Sequence, residues 1–217
     1  MSSITTLPVG RRGFLARLSA AGAAALLGAP TLLRAMPGKP IATTPDDPDA
    51  WIARLTGRDR TLLHSSERLL VALAGAHGIL RDATHDYRVP ERENSVAIAA
   101  HGPAIGGLFT DETWRRFALA ERYAAGTGTT ENPFLRPQSD APPEATVPGL
   151  VARGVVFVVC NVAVRNLARR VAGDPERVDQ VHRELTAGVV PGVAVVPNVF
   201  VAIAHAQQRG VSYIHLD

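Results

Sequence analysis

The chain has 217 residues, of which 46% are apolar and 20% are charged. These proportions exclude a disordered chain, a collagen-like chain and a membrane protein with several spans, and they fit one globular domain. The formal net charge of +3 suggests a polyanionic partner, so the positions of the charges decide whether that class of ligand is expected.

Residues 1–35 have the pattern of a twin-arginine export signal. The paired Arg11 and Arg12 precede an uncharged segment, residues 18–33, that is rich in Ala, Gly and Leu. A membrane anchor or a buried helix is the alternative, but an anchor needs about 20 strongly apolar residues. The pattern predicts a folded protein that the twin-arginine translocase exports to the periplasm or the cell exterior. Cleavage is expected after Ala35, and the protein stays membrane-anchored if the signal is retained.

The excess positive charge belongs to this export segment. Four of the 23 basic residues and none of the 20 acidic residues lie in it, so its removal leaves 19 basic residues against 20 acidic ones. The rest of the chain has no run of Lys and Arg and no basic stripe with interleaved aromatic residues. A nucleic-acid partner is therefore not expected.

Residues 36–50 are rich in Pro and Asp and are predicted to form a linker, and residues 51–217 are predicted to form the folded domain. In that domain β-branched runs alternate with amphipathic stretches, which predicts a three-layer α/β fold with helices on both faces of a mainly parallel, five-stranded sheet. The predicted strands are 60–64, 95–100, 155–160, 193–196 and 211–216. The predicted helices are 67–87, one from Asp111, one after Cys160, one capped by Asp174, and 199–209, which is capped by Asn198.

Two further patterns concern the sheet and its connections. The third and fourth predicted strands are nearly continuous valine runs, which is typical of central parallel strands buried on both faces. Residues 126–149 contain two Gly and five Pro before Gly149, and this composition predicts one long loop. Loops of that length in compact domains are often functional.

Polar residues follow the predicted strands at the points where they end. In open α/β sheets the ligand site lies beyond the carboxyl ends of the strands. This rule selects Cys160 and His101 as catalytic candidates and His64, Asn161 and Asn198 as ligand-binding candidates. Cys160 is the single cysteine and precedes a predicted helix, whose free N–H groups would favour a thiolate. The alternatives are a buried apolar cysteine that only fills space and a cysteine that pairs with another molecule.

Signatures of several other sites are absent from the sequence. There is no dinucleotide-binding fingerprint, no phosphate-binding loop and no serine nucleophile elbow, so no cofactor is predicted. Cys160, His64 and His101 are metal-ligand types, but no short ligand spacing supports a cluster, and no metal site is predicted.

Four segments resemble the DsrE-like (DsrE/DsrF-like) family of sulfur-relay proteins, namely residues 99–105, 154–161, 190–198 and 207–214. The resemblance extends over residues 51–217 and is strongest after residue 150. It implies an α/β fold, assembly into a homo-oligomer (a trimer or a hexamer), and a sulfur donor or acceptor protein as partner. It also implies that Cys160 carries persulfide sulfur. The export signal and the long loop depart from the cytoplasmic relay members and resemble an exported subgroup.

Two functions follow as hypotheses. In the first, an exported DsrE-like protein accepts a sulfane sulfur as a persulfide on Cys160 and passes it on, so that it acts as a sulfurtransferase-like carrier. In the second, the protein is a non-catalytic small-ligand-binding or assembly protein in which Cys160 is buried and structural. The exposure of Cys160 distinguishes the two, because a sealed thiol favours the second.

Overall fold

The structure, a computed structural model, describes residues 41–42, 47–124, 127–139 and 141–216. The predicted export signal and its cleavage site lie outside these residues, as does most of the predicted linker. The described residues belong to one compact unit. Within the described ranges, no helix combines the length and the apolar character needed to cross a membrane.

The sheet has six strands, and every pairing in it is parallel. All five predicted strands are present, with bounds shifted by one residue at most ends. A two-residue strand, Ile41–Ala42, lies in the segment predicted to be a linker and adds a sixth strand beside β5. The order across the sheet is β1-β5-β4-β3-β2-β6. The strands are β1 (Ile41–Ala42), β2 (Asp59–Ser65), β3 (Asn94–Ala100), β4 (Val156–Cys160), β5 (Ala194–Val196) and β6 (Ser212–His215).

Seven α-helices lie between the strands of the described chain. They are α1 (Leu69–His85), α2 (Asp111–Arg116), α3 (Leu119–Tyr123), α4 (Val147–Ala152), α5 (Asn161–Val171), α6 (Val178–Ala187) and α7 (Val199–Gln208). Short 3-10 turns span Ala50–Arg54, Glu91–Glu93, Gly102–Leu108, Pro133–Leu135 and Pro175–Arg177. The predicted cap is confirmed for α7, where Asn198 Oδ1 accepts the N–H of Phe200.

The strand order determines which face of the sheet each helix covers. Strands β2 to β5 are neighbours in chain order, so right-handed crossovers place the helices between them on one face. The connection from β5 to β6 runs back across the sheet, and the same rule places α7 on the other face. The chain therefore leaves β4 and β5 toward opposite faces, and the topological switch point lies between these two strands.

The core is centred on β3 and β4. All five residues of β4 are buried, as its valine run predicts for a central strand. The last strand, β6, is different, because all four of its residues are exposed at the edge of the sheet. Helix α1 packs beside β2 and β3 with a stripe of five buried residues, Leu69, Ala72, Leu73, Ala76 and Leu80.

The predicted loop 126–149 is shorter than expected, because α4 begins at Val147 within it. Thr146 caps this helix by accepting the N–H of Gly149 at 3.0 Å, so the terminal bound of the loop prediction was wrong. The rest of the connection is anchored at Asn132, which is fully buried. Its Nδ2 donates to the carbonyls of Gly107 and Phe109 at 2.9 and 2.6 Å.

Asn132 can anchor the loop only because the loop lies close to the turn that follows β3. A Cβ at Gly107 would lie 2.8 Å from the ring of Phe134 and closer still to Leu69, so only glycine fits there. Asn132 Oδ1 also accepts the N–H of Phe134 at 3.0 Å. The loop is therefore held against the turn by a buried amide and an aromatic ring.

Replacing this amide should destabilise the protein. Asn132→Ala leaves two buried carbonyls without their donor, and we expect the free energy of unfolding in urea to fall by roughly 2–4 kcal/mol. Asn166→Ala is the matched control, since Asn166 only accepts an exposed hydrogen bond from Arg169. Equal stabilities of the two variants would contradict the anchoring role of Asn132.

Candidate functional site

The register of the sheet brings the predicted site residues to one edge. His64 pairs with His215, Ser65 with Ala100 just before His101, and Cys160 with Val196. The carboxyl ends of neighbouring parallel strands therefore meet, and these strand-end residues lie along one edge of the sheet.

His64 lies at the centre of a hydrogen-bonded chain. Its side chain is buried, and its Nε2 is 2.9 Å from Nδ1 of His101. Its Nδ1 is 2.9 Å from the hydroxyl of Tyr213. Because each hydrogen bond needs one donor and one acceptor, a neutral His64 donates through one ring nitrogen and accepts through the other. The hydrogen positions on Tyr213, His64 and His101 therefore depend on one another. These residues lie on β6, on β2 and directly after β3.

Aromatic rings surround this chain. The ring of Phe200, in the first turn of α7, lies 5.0 Å from that of His101 and 5.9 Å from that of His64. The ring of His215 lies 5.0 Å from that of His64. Phe200 is 57% exposed and Tyr213 is 38% exposed. We call this group the histidine patch: His64, His101, Phe200, Tyr213 and His215.

Cys160 ends β4 and is the N-cap residue of α5. It therefore lies at the switch point, next to the free N–H groups of an eleven-residue helix. Its exposed fraction is only 4%. A thiol with so little exposed surface is closed to bulky reagents and partner proteins in this conformation.

The two predicted asparagines lie at the switch point as well. Asn161 Oδ1 accepts a hydrogen bond from Nε2 of His182 at 2.7 Å, which orients its amide. No partner for Asn161 Nδ2 exists among the described residues, so this N–H group is available at the edge. The side chain of Asn198 caps α7 and is therefore already engaged in a structural hydrogen bond. Of the two, Asn161 has the capacity to bind a ligand.

Sequence reasoning missed Phe200 and Tyr213. Tyr213 and His215 are two residues apart on β6, so strand alternation places them on one face, and this signal was available. Phe200 gave no such signal, because an aromatic residue in an apolar helix is normally predicted to be buried. Among the described residues, no group of three or more His, Cys, Asp or Glu side chains is arranged to hold a metal ion.

Neither a known protein family nor a curated protein matches the sequence. Among solved structures, one similar chain is a protein of unknown function from Methanobacterium thermoautotrophicum. The two share 16% sequence identity, and the alignment covers 73% of this chain and 99% of the other with a TM-score of 0.42. This likeness assigns no activity to the protein.

His182 should make stability depend on pH. Burial, and then the positive charge of Arg165, lower the pKa of His182 below its ordinary value of 6.5. The unfolded chain therefore takes up this proton first as the pH falls, and stability is lost below about pH 6.5. His182→Gln keeps an N–H donor for Asn161 but does not titrate. We expect the free energy of unfolding to fall less between pH 7.5 and pH 5 in this variant than in wild type. Identical pH dependences would contradict the assignment.

Proposed function

We propose that the protein is a DsrE-like, non-catalytic binding protein that takes a small anionic ligand with a flat ring at the carboxyl edge of its sheet. The observation that carries this proposal is the histidine patch, in which His64 is hydrogen-bonded to both His101 and Tyr213 beside an exposed Phe200. The burial of Cys160 supports a structural role for the thiol.

The electrostatics of the edge favour an anion. Helices α5 and α7 both begin at the switch point, at Asn161 and Val199, so two helix amino ends with their positive dipole charge point to this edge. The patch adds the imidazole rings of His101 and His215 around the buried ring of His64, and a neutral imidazole carries one N–H donor. Within the part of the chain that the structure describes, no acidic residue lies in the first turns of α5 and α7.

The shape of the patch favours a flat ligand. Phe200 and Tyr213 each lie 5.9 Å from the ring of His64 and expose ring surface, which offers a flat ligand an apolar contact. A planar ring can lie on these side chains while its acidic group reaches the imidazoles or the N–H of Asn161. Small aromatic or unsaturated carboxylates combine the two properties.

Three probes test this proposal, namely benzoate, its neutral analogue benzamide, and acetate. The ring resonances of the histidines are followed by ¹H–¹³C NMR during each titration. We expect benzoate to give saturable shifts at His101 and His215, benzamide and acetate to bind more weakly, and His77 and His85 to stay unchanged.

A matched pair of variants tests the role of the aromatic surface. Phe200→Ala should weaken benzoate binding roughly three- to tenfold, whereas Val201→Ala, which changes an exposed neighbour on the same helix, should not. Absence of saturable shifts at the patch, or equal affinities of the two variants, would contradict the proposal.

The second candidate function is sulfur relay through Cys160, and the position of Cys160 at the N-cap of α5 favours it. The thiolate would attack the terminal sulfur of a polysulfide, forming a new S–S bond and releasing a polysulfide that is one sulfur shorter. An acceptor thiolate would then take the outer sulfur and restore the Cys160 thiolate. This function requires the start of α5 to open, because the thiol is buried. Twin-arginine export and homo-oligomeric assembly accompany either function as proposals.

Thiol chemistry separates the two candidates. If Cys160 is structural, iodoacetamide should label it at least about a hundredfold more slowly in the native protein than in urea, because labelling then needs local opening. Intact-mass analysis after polysulfide treatment should show no added sulfur atom. Rapid labelling together with a one-sulfur adduct that is absent from Cys160→Ala would overturn the binding proposal in favour of sulfur relay.

A further inference from the structure

A cleft lies at the opposite edge of the domain from the histidine patch, where α1 ends. It has a volume of about 580 Å³, within the range typical of small-molecule sites. Three arginines, two histidines and one carboxylate line it together with Leu80 and Thr84. The charged and titratable lining residues are His77, Arg81, His85, Arg88, Glu91 and Arg153.

Arg153 is fixed in this cleft from two sides. Its Nε donates to Glu91 at 2.9 Å, and its Nη1 donates to Nδ1 of His77 at 3.3 Å. Because a guanidinium only donates, His77 accepts at Nδ1 and carries its hydrogen on Nε2. Three of the five N–H donors of Arg153 remain uncommitted. The side chain is 25% exposed, so it is held in place yet open to the cleft.

Arg88 has an unusual backbone. Its φ of 58° lies in the left-handed region, which costs a non-glycine residue energy. No acidic partner for its guanidinium exists among the described residues. Arg81, on the last turns of α1, pairs through Nε with Asp82 at 2.6 Å, which leaves its two terminal nitrogens uncommitted. A strained turn that holds an unpaired arginine beside two partly committed ones is the arrangement that a ligand would stabilise.

We propose that this cleft binds a small tetrahedral oxyanion, phosphate or sulfate, either free or as the ester group of a small organic molecule. The guanidinium groups of Arg88, Arg153 and Arg81 would grip it by charge-assisted, bidentate hydrogen bonds, and His77 would add its Nε2–H donor. Glu91 is the one carboxylate of the lining, and its pairing with Arg153 neutralises it. This site is independent of the function proposed for the carboxyl edge.

The test uses the full chain and follows the ring resonances of His77 and His85 during titration. Sodium phosphate and sodium sulfate are compared with sodium chloride at equal ionic strength, and glucose 6-phosphate is compared with glucose. We expect saturable shifts with phosphate, sulfate or glucose 6-phosphate and none with chloride or glucose. The relative affinities of phosphate and its ester show whether the free ion or the ester is preferred.

Arg88→Gly is the informative variant, because glycine adopts the left-handed backbone without strain. This relief offsets the greater conformational entropy of glycine in the unfolded chain, so the variant should fold with a stability close to that of wild type. Its oxyanion affinity should fall about tenfold, the loss expected for one charge-assisted contact. Arg92→Ala is the control, since Arg92 is highly exposed, lies nearby and does not line the cleft. Unchanged affinity of Arg88→Gly, no saturable shift, or equal shifts with chloride would overturn the proposal. Shifts confined to His101 and His215 would also overturn it, because they would place the oxyanion at the carboxyl edge.

Discussion

Parallel pairing of the strands is the constraint on which the rest of this structure depends. Because all six strands run the same way, every carboxyl end meets at one edge and every amino end at the other. The register of β4 pairs Val159 with Ala100 of β3 and Cys160 with Val196 of β5, which aligns the carboxyl ends of the three strands. His64, His101 and Cys160 are distant in sequence, and this pairing alone brings them to a common edge.

The two edges of the domain carry different chemistry. The carboxyl edge combines imidazoles, aromatic rings and two helix amino ends, which suits a flat anion. The cleft at the end of α1 has guanidinium groups and only one carboxylate, which suits a compact oxyanion. The helix dipole of α1 is negative at that end, so part of the arginine charge there stabilises the helix. This stabilisation of the helix does not require the uncommitted N–H donors of Arg88 and Arg153.

Most of the fold could be predicted from the sequence, because the strand runs and the cap at Asn198 are local signals. The short strand β1 could not, since two residues carry no period and pair only because β5 offers an edge. The start of α4 was not predicted because prolines surround it, although threonine, as at Thr146, is a residue type that often caps helices. At the site, strand ends predicted the convergence of His64 and His101. The burial of Cys160 and the exposure of Phe200 depend on packing that no local pattern encodes.

The central claim is that His64 is a buried link between His101 and Tyr213. Its most direct test is the through-hydrogen-bond ¹⁵N–¹⁵N coupling between the imidazole rings in uniformly labelled protein. The account predicts a measurable coupling between Nε2 of His64 and Nδ1 of His101, with a single fixed tautomer for each ring. Two rings that show no coupling, and whose N–H protons exchange with water as fast as those of exposed histidines, would contradict it.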